Sequence, residues 1–89
     1  MKEDIERKIY YYSLSLESYE DYTNNYSKSL HDTWNKLSYL RKNKDNISQK
    51  EKEIMMNDIL KSFEQEVEKI GKDKFNIDED GYVEFIFKK

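Results

Sequence analysis

Apolar and semi-apolar side chains recur at alternating steps of four and three along the first half of the chain: Ile5, Ile9, Tyr12, Leu16, Tyr19, Thr23, Tyr26, Leu30, Thr33, Leu37 and Leu40. That spacing places them on one stripe of an α-helix. Proline is absent, and Gly71 and Gly81 both lie beyond the stripe. The pattern therefore predicts one helix over about residues 3–43, roughly 60 Å long at 1.5 Å per residue. Thr23-Asn24-Asn25 is its weak point, because three poor helix formers stand together there. Ser27 is placed to cap a new helix if the chain breaks. The unbroken phase of the stripe favours continuity; a break near Asn24 gives a three-helix bundle instead.

Lys42 to Ile47 reads as a polar connection. Ser48-Gln49-Lys50-Glu51 has the form of a capping box, in which Ser48 accepts from the Glu51 amide. A second helix over about 49–70 presents Met56, Ile59, Leu60, Phe63, Val67 and Ile70, and stops at Gly71. This stripe is wide enough to cover more than one neighbour. Past Gly71 the period changes to two. Phe75 and Ile77 alternate with polar residues, Asp78-Glu79-Asp80-Gly81 turns the chain, and Tyr82, Val83, Phe85, Ile86 and Phe87 form a β-prone return arm. The expected fold is mainly α. It is a long antiparallel helical hairpin, or a three-helix bundle, with a short C-terminal β-hairpin over about 74–87 turning at Asp80-Gly81. All of it forms one domain across 1–89.

The lengths do not match. The second helix spans roughly 33 Å and covers only about half of a 60 Å partner. Tyrosines crowd the uncovered half. Of eight in the chain, Tyr10, Tyr11, Tyr12, Tyr19, Tyr22 and Tyr26 lie there. Tyr12, Tyr19 and Tyr26 fall on the inward stripe, and Tyr10, Tyr11 and Tyr22 fall off it. Tyrosine offers a large, rigid contact area at low entropic cost and is enriched at interface hot spots. A small domain without cysteine also has no disulfide to compensate for a limited core, which leaves a partner as the remaining stabiliser. Tyr10, Tyr11, Leu14, Tyr19, Tyr22 and Tyr26 are thus candidate partner-binding residues, with the acidic turn Asp78, Glu79 and Asp80 as a second candidate surface. The partner is another protein or a second copy of the chain.

Composition narrows the class of function. Charged residues make up 39% of the chain, with the signs interspersed and a net charge of −3. A nucleic-acid-binding domain normally shows a basic stripe instead. No apolar run reaches the length of a signal peptide core or a membrane span, so a cytoplasmic location is expected. Richness in Lys, Asn, Ile, Tyr and Phe, with no alanine, points to an AT-rich genome such as a low-GC bacterium or its phages and plasmids.

Signals for chemistry are few. His31 is the only histidine, sits opposite the stripe, and is expected to be solvated. No serine stands at a diagnostic spacing from a base, and no glycine-rich loop is present to cradle phosphate. Most carboxylates alternate with lysines on outer helix faces. Trp34, beside Thr33, reads as a packing residue. Arg41, Lys42, Lys44, Lys50 and Lys52 gather at the helix connection, opposite the acidic turn, suggesting a basic tip and an acidic base. Asn76-Ile77-Asp78-Glu79-Asp80-Gly81-Tyr82-Val83-Glu84 resembles an EF-hand calcium loop. It has oxygen ligands at positions one, three and five, Gly81 at six, an aliphatic residue at eight and Glu84 at nine. Phe87 stands at the twelfth position, where the bidentate glutamate belongs. The expected reading is a non-enzymatic protein-binding module without cofactor or metal, of the kind that phages and mobile elements use as inhibitors (anti-CRISPR-like proteins among them), acting by steric occlusion. Alternatives are a self-associating helical hairpin of structural or secretion-partner type, a toxin immunity protein, and a weak EF-hand-like calcium module.

Overall fold

The computed structural model describes residues 2–25 and 27–86. Three helices, α1 (Lys2–Thr23), α2 (Lys28–Asn43) and α3 (Gln49–Ile70), are followed by a 3₁₀ turn (Lys72–Lys74) and two short strands, β1 (Phe75–Ile77) and β2 (Val83–Phe85). The fold is mainly helical, and the strands form a two-stranded antiparallel sheet.

The continuous helix over 3–43 is the expectation that the structure overturns. α1 ends at Thr23, and Asn24 turns the chain with φ of 59°. Asparagine tolerates this left-handed region better than most L-residues. Thr23 Oγ1 donates to the Tyr19 carbonyl at 2.7 Å and accepts the Asn25 amide at 3.3 Å, which satisfies groups freed at the helix end. Ser27 then caps α2 by accepting the Leu30 amide at 3.3 Å. The longest dimension of the molecule is 44 Å, well short of the expected rod.

Burial explains why the break wins. Ile9, Tyr12 and Leu16 of α1 and Leu30, Thr33, Leu37 and Leu40 of α2 are all buried, as are Met56, Ile59, Phe63 and Val67 of α3. Each large apolar side chain so buried contributes about 1.5–3 kcal/mol. The cost is a few helical hydrogen bonds, at about 0.5–1.5 kcal/mol each, across a stretch of poor helix formers. A straight rod would have left half the stripe uncovered. The heptad phase survives because both helices offer the same stripe to α3. Phase reports a shared partner, and it does not require a shared axis.

The helices run up, down and up. Glu20 meets His31 and Ser13 meets Trp34 across α1 and α2, and Ser29 meets Glu66 across α2 and α3. α3 begins where the Ser48 hydroxyl accepts the Glu51 amide at 3.2 Å. It ends at Gly71, whose amide bonds the Val67 carbonyl at 2.9 Å with φ of +120°, a conformation that disfavours any side chain.

From Gly71 the chain doubles back. β1 pairs with β2 in the register Phe75↔Phe85, Asn76↔Glu84 and Ile77↔Val83. The turn is longer than a two-residue Asp80-Gly81 connection. Asp78 Oδ1 accepts the amides of Asp80 at 3.0 Å and Tyr82 at 2.9 Å, while the Asp78 carbonyl accepts from Gly81 at 3.0 Å. Aspartate closing its own turn in this way fixes a five-residue loop. Phe75, Val83 and Phe85 point inward and are buried. β2 lies alongside α1, where Ser15 Oγ donates to the Val83 carbonyl at 2.9 Å.

Candidate protein-interaction face

α1 divides its tyrosines between core and surface. Tyr12 is 5% exposed, whereas Tyr10, Tyr11 and Tyr22 are 53%, 42% and 51% exposed. Leu14 is 42% exposed beside them. Tyr19, on the inward stripe, packs against the core from its edge. It is half-buried, with its ring 5.6 Å from Phe85 and 6.3 Å from Phe75, so the hairpin has taken up that surface. Tyr26 lies outside the described residues, as does Phe87. The expectation that the N-terminal half lacks internal cover is therefore corrected in part: α3 and the hairpin cover its inner side, and one outer ridge stays exposed.

The hairpin extends this ridge. Tyr82 packs edge-on against Tyr11 with ring centroids 5.3 Å apart, and Tyr11 in turn packs against Tyr10 at 5.7 Å. Further along, Tyr22 lies 5.8 Å from Phe85. Between α1 and the outward face of the sheet runs an open groove of about 620 Å³. Arg7, Tyr11, Leu14 and Ser18 form its helical wall, and Asn76, Tyr82 and Glu84 lie on the hairpin side. Arg7, Tyr11, Leu14 and Ser18 follow steps of four, three and four, so this wall is a second stripe, beside the inward one.

The acidic turn does not stand at the far end from the basic cluster. β1 runs back down α1, which brings the turn level with Lys8, whose Nζ lies 3.4 Å from where a Cβ on Gly81 would stand. Arg41, Lys44 and Lys52 share a pocket with Glu6 and Tyr10 near the start of α1. The two surfaces named from sequence, tyrosine ridge and acidic turn, are thus neighbours. The division into a basic tip and an acidic base fails because the strands double back instead of continuing along the axis of α3.

The EF-hand likeness is likewise corrected. The first and ninth loop positions, Asn76 and Glu84, are cross-strand partners, so the segment is a flat hairpin and does not wrap a central point. Asp78 Oδ1 is occupied by backbone amides. Among the described residues no group of three or more His, Cys, Asp or Glu side chains converges as a metal site.

One polar position departs from its expectation, and a second, Glu66, was not singled out from the sequence. His31 is not freely solvated; its Nε2 lies 2.9 Å from Glu20, and its ring meets Trp34 edge-on at 5.0 Å. The break at Asn24 creates that pairing by folding α2 against α1. Trp34 Nε1 donates to Ser13 Oγ at 3.0 Å. Glu66 is only 5% exposed and receives the hydroxyls of Ser27 and Ser29 at the N-terminus of α2. A carboxylate there is favoured by the unpaired amides of the helix end. Its spacing held the signal, since Ile59, Phe63, Glu66 and Ile70 step by four, three and four.

Burial pushes the Tyr12 hydroxyl above the usual phenol range, and the carboxylates of Glu64 and Glu68 push it in the same direction. Tyr12 is thereby held neutral within the core. Among the described residues no helix is long and apolar enough to cross a membrane. The chain matches no family model, no curated protein and no solved structure.

Proposed function

We propose that this chain is a small non-enzymatic protein-binding module that acts by covering a functional surface of its partner. The contact face is the ridge of Tyr10, Tyr11, Leu14 and Tyr22, with the hairpin turn at its flank. The observation that supports this reading is the exposure of those side chains along one side of a helix whose other side is fully engaged. Tyrosine is enriched at interface hot spots, and three of them are exposed along this helix. An inhibitor of a low-GC bacterial host system, carried by a phage or mobile element, is the finer form of the proposal. It rests on the chain's AT-rich composition and its lack of catalytic spacing.

Site-specific photocrosslinking tests the face. A benzoylphenylalanine at position 11 or 22 is expected to capture one and the same protein from a low-GC bacterial lysate. The same group at position 39, where Tyr39 is equally exposed on α2, captures none of it. With the benzoylphenylalanine at position 14 instead, where Leu14 is exposed on the same face, Tyr11→Ser combined with Tyr22→Ser abolishes the capture while leaving the fold intact. Equal capture from all three positions removes the ridge from consideration. Capture of a second copy of the chain replaces the inhibitor reading with self-association.

A further inference from the structure

The groove between α1 and the hairpin has a chemistry of its own, and it says what kind of partner segment fits. From Phe75 to Ile86 the chain carries Asp78, Glu79, Asp80 and Glu84 and no basic residue. Asp78 also lines the groove, with its Oδ1 committed to the amides of Asp80 and Tyr82. Glu84 is different. It is exposed on the outward face of β2, opposite Asn76, and no hydrogen bond or ion pair engages it among the described residues. Arg7 lines the same groove and is also without an ion pair among the described residues. The two do not neutralise each other.

Their order along the groove follows from the contacts that seat the hairpin. Tyr82 faces Tyr11, Val83 is bonded to Ser15, and Phe85 meets Tyr22. β2 therefore runs parallel to α1. Arg7 lies at the end marked by the Tyr11 and Tyr82 rings, and Glu84 lies further along, level with Ser18. The Tyr11 and Tyr82 rings lie between Arg7 and Glu84, and the hairpin wall sets two carboxylates, Asp78 and Glu84, against that one cation. A cation beside the ring of a tyrosine gains about 0.5–1 kcal/mol, and an exposed carboxylate partner adds a similar amount. Of the two carboxylates, Glu84 is the one that no backbone amide occupies among the described residues, and it is where a basic side chain settles.

We propose that this groove seats an extended segment of the partner protein that presents an arginine, its guanidinium against Glu84 and Asn76 and its flank on the Tyr82 ring. The inference rests on the protein-binding reading above and adds the chemistry of what is bound. Arginine suits the site better than lysine because its planar head both stacks on a ring and pairs with a carboxylate. The aromatic ridge supplies the contact area around this anchor, and the anchor supplies register.

The test uses the full chain, followed by amide NMR, with three blocked pentapeptides: Gly-Arg-Gly-Arg-Gly, the same peptide with citrulline in place of arginine, and Gly-Glu-Gly-Glu-Gly. The arginine peptide is expected to shift the amides of Tyr11, Ser18, Tyr82 and Glu84 saturably. The uncharged citrulline peptide binds at least about fivefold more weakly, and Glu84→Gln weakens the arginine peptide about three- to fivefold, the upper part of the range of one exposed ion pair. Glu64→Gln, an equal change of charge on α3, leaves the affinity unaltered. Equal effects of Glu84→Gln and Glu64→Gln, shifts spread over all the carboxylate-bearing helices, or tighter binding of the glutamate peptide overturn the proposal. If the crosslinked partner is retained while the arginine peptide shows no preference for the groove, this inference falls and the protein-binding reading stands. If the peptide binds as expected but no partner crosslinks to the ridge, the arginine preference of the groove stands and the tyrosine ridge falls as the contact face.

Discussion

Ser15→Ala isolates the bond that docks the hairpin. Ser15 is 6% exposed, and its hydroxyl donates to the Val83 carbonyl at 2.9 Å, linking residues 68 positions apart in the chain. The ladder between β1 and β2 cannot replace it. Asp78 bonds Tyr82 and Lys74 bonds Ile86, so the backbone groups of Val83 point away from β1. Truncation leaves a carbonyl on a buried residue without its donor, at a cost of about 1–3 kcal/mol. In a domain of this size each kcal/mol lowers the melting temperature by about 4–8 °C. The loss is local first, because the three helices keep their own core. Urea denaturation gives the global term, and amide hydrogen exchange at Asp78 and Ile86 gives the local one. Protection at those two amides is expected to fall by more than the global stability, while amides within α3 follow the global value. Ser18→Ala, one turn along the same face, serves as the control and stays within about 0.5 kcal/mol of wild type. If Ser15→Ala matches that control in both measurements, the hairpin is held by its rings alone and the bond adds nothing.

Other perturbations probe the remaining joints. Asn24→Val is expected to cost about 1–2 kcal/mol in urea denaturation, because a β-branched side chain resists φ of 59°, whereas Asn24→Gly is close to neutral; equal stability of the two variants refutes the strained turn. Glu66→Ala strands the Ser27 and Ser29 hydroxyls and is expected to lose about 1.5–3 kcal/mol. Glu66→Gln keeps an acceptor and loses less, and an equal loss in both argues against the hydroxyl bonds. Tyr12 links stability to alkaline pH: its folded hydroxyl titrates above the usual value, so the unfolded chain sheds its proton first, from about pH 10 upward. Stability therefore declines as pH rises past 10, and Tyr12→Phe flattens that decline. Parallel pH profiles of denaturation midpoint for the two proteins contradict the assignment.

Much of this protein follows from local chemistry in its sequence. The Ser48 cap and Gly71 stop mark the ends of α3 because each satisfies backbone groups within a few residues. The inward stripe identifies nearly every buried side chain of α1 and α2, since helical spacing alone decides which side chains share a face. The off-stripe positions of Tyr10, Tyr11 and Tyr22 foretell their exposure for the same reason. Tertiary structure decided the rest. Whether Asn24 bends was a contest between weak helix propensity and burial against α3, and only the assembled bundle supplies the second term. The pairing of His31 with Glu20, the burial of Glu66 at the start of α2, and the groove between α1 and β2 all require segments far apart in sequence to meet. Side-chain spacing encodes direction about a helix axis. It carries no measure of where the chain turns back, and the groove between α1 and the hairpin exists only because it does.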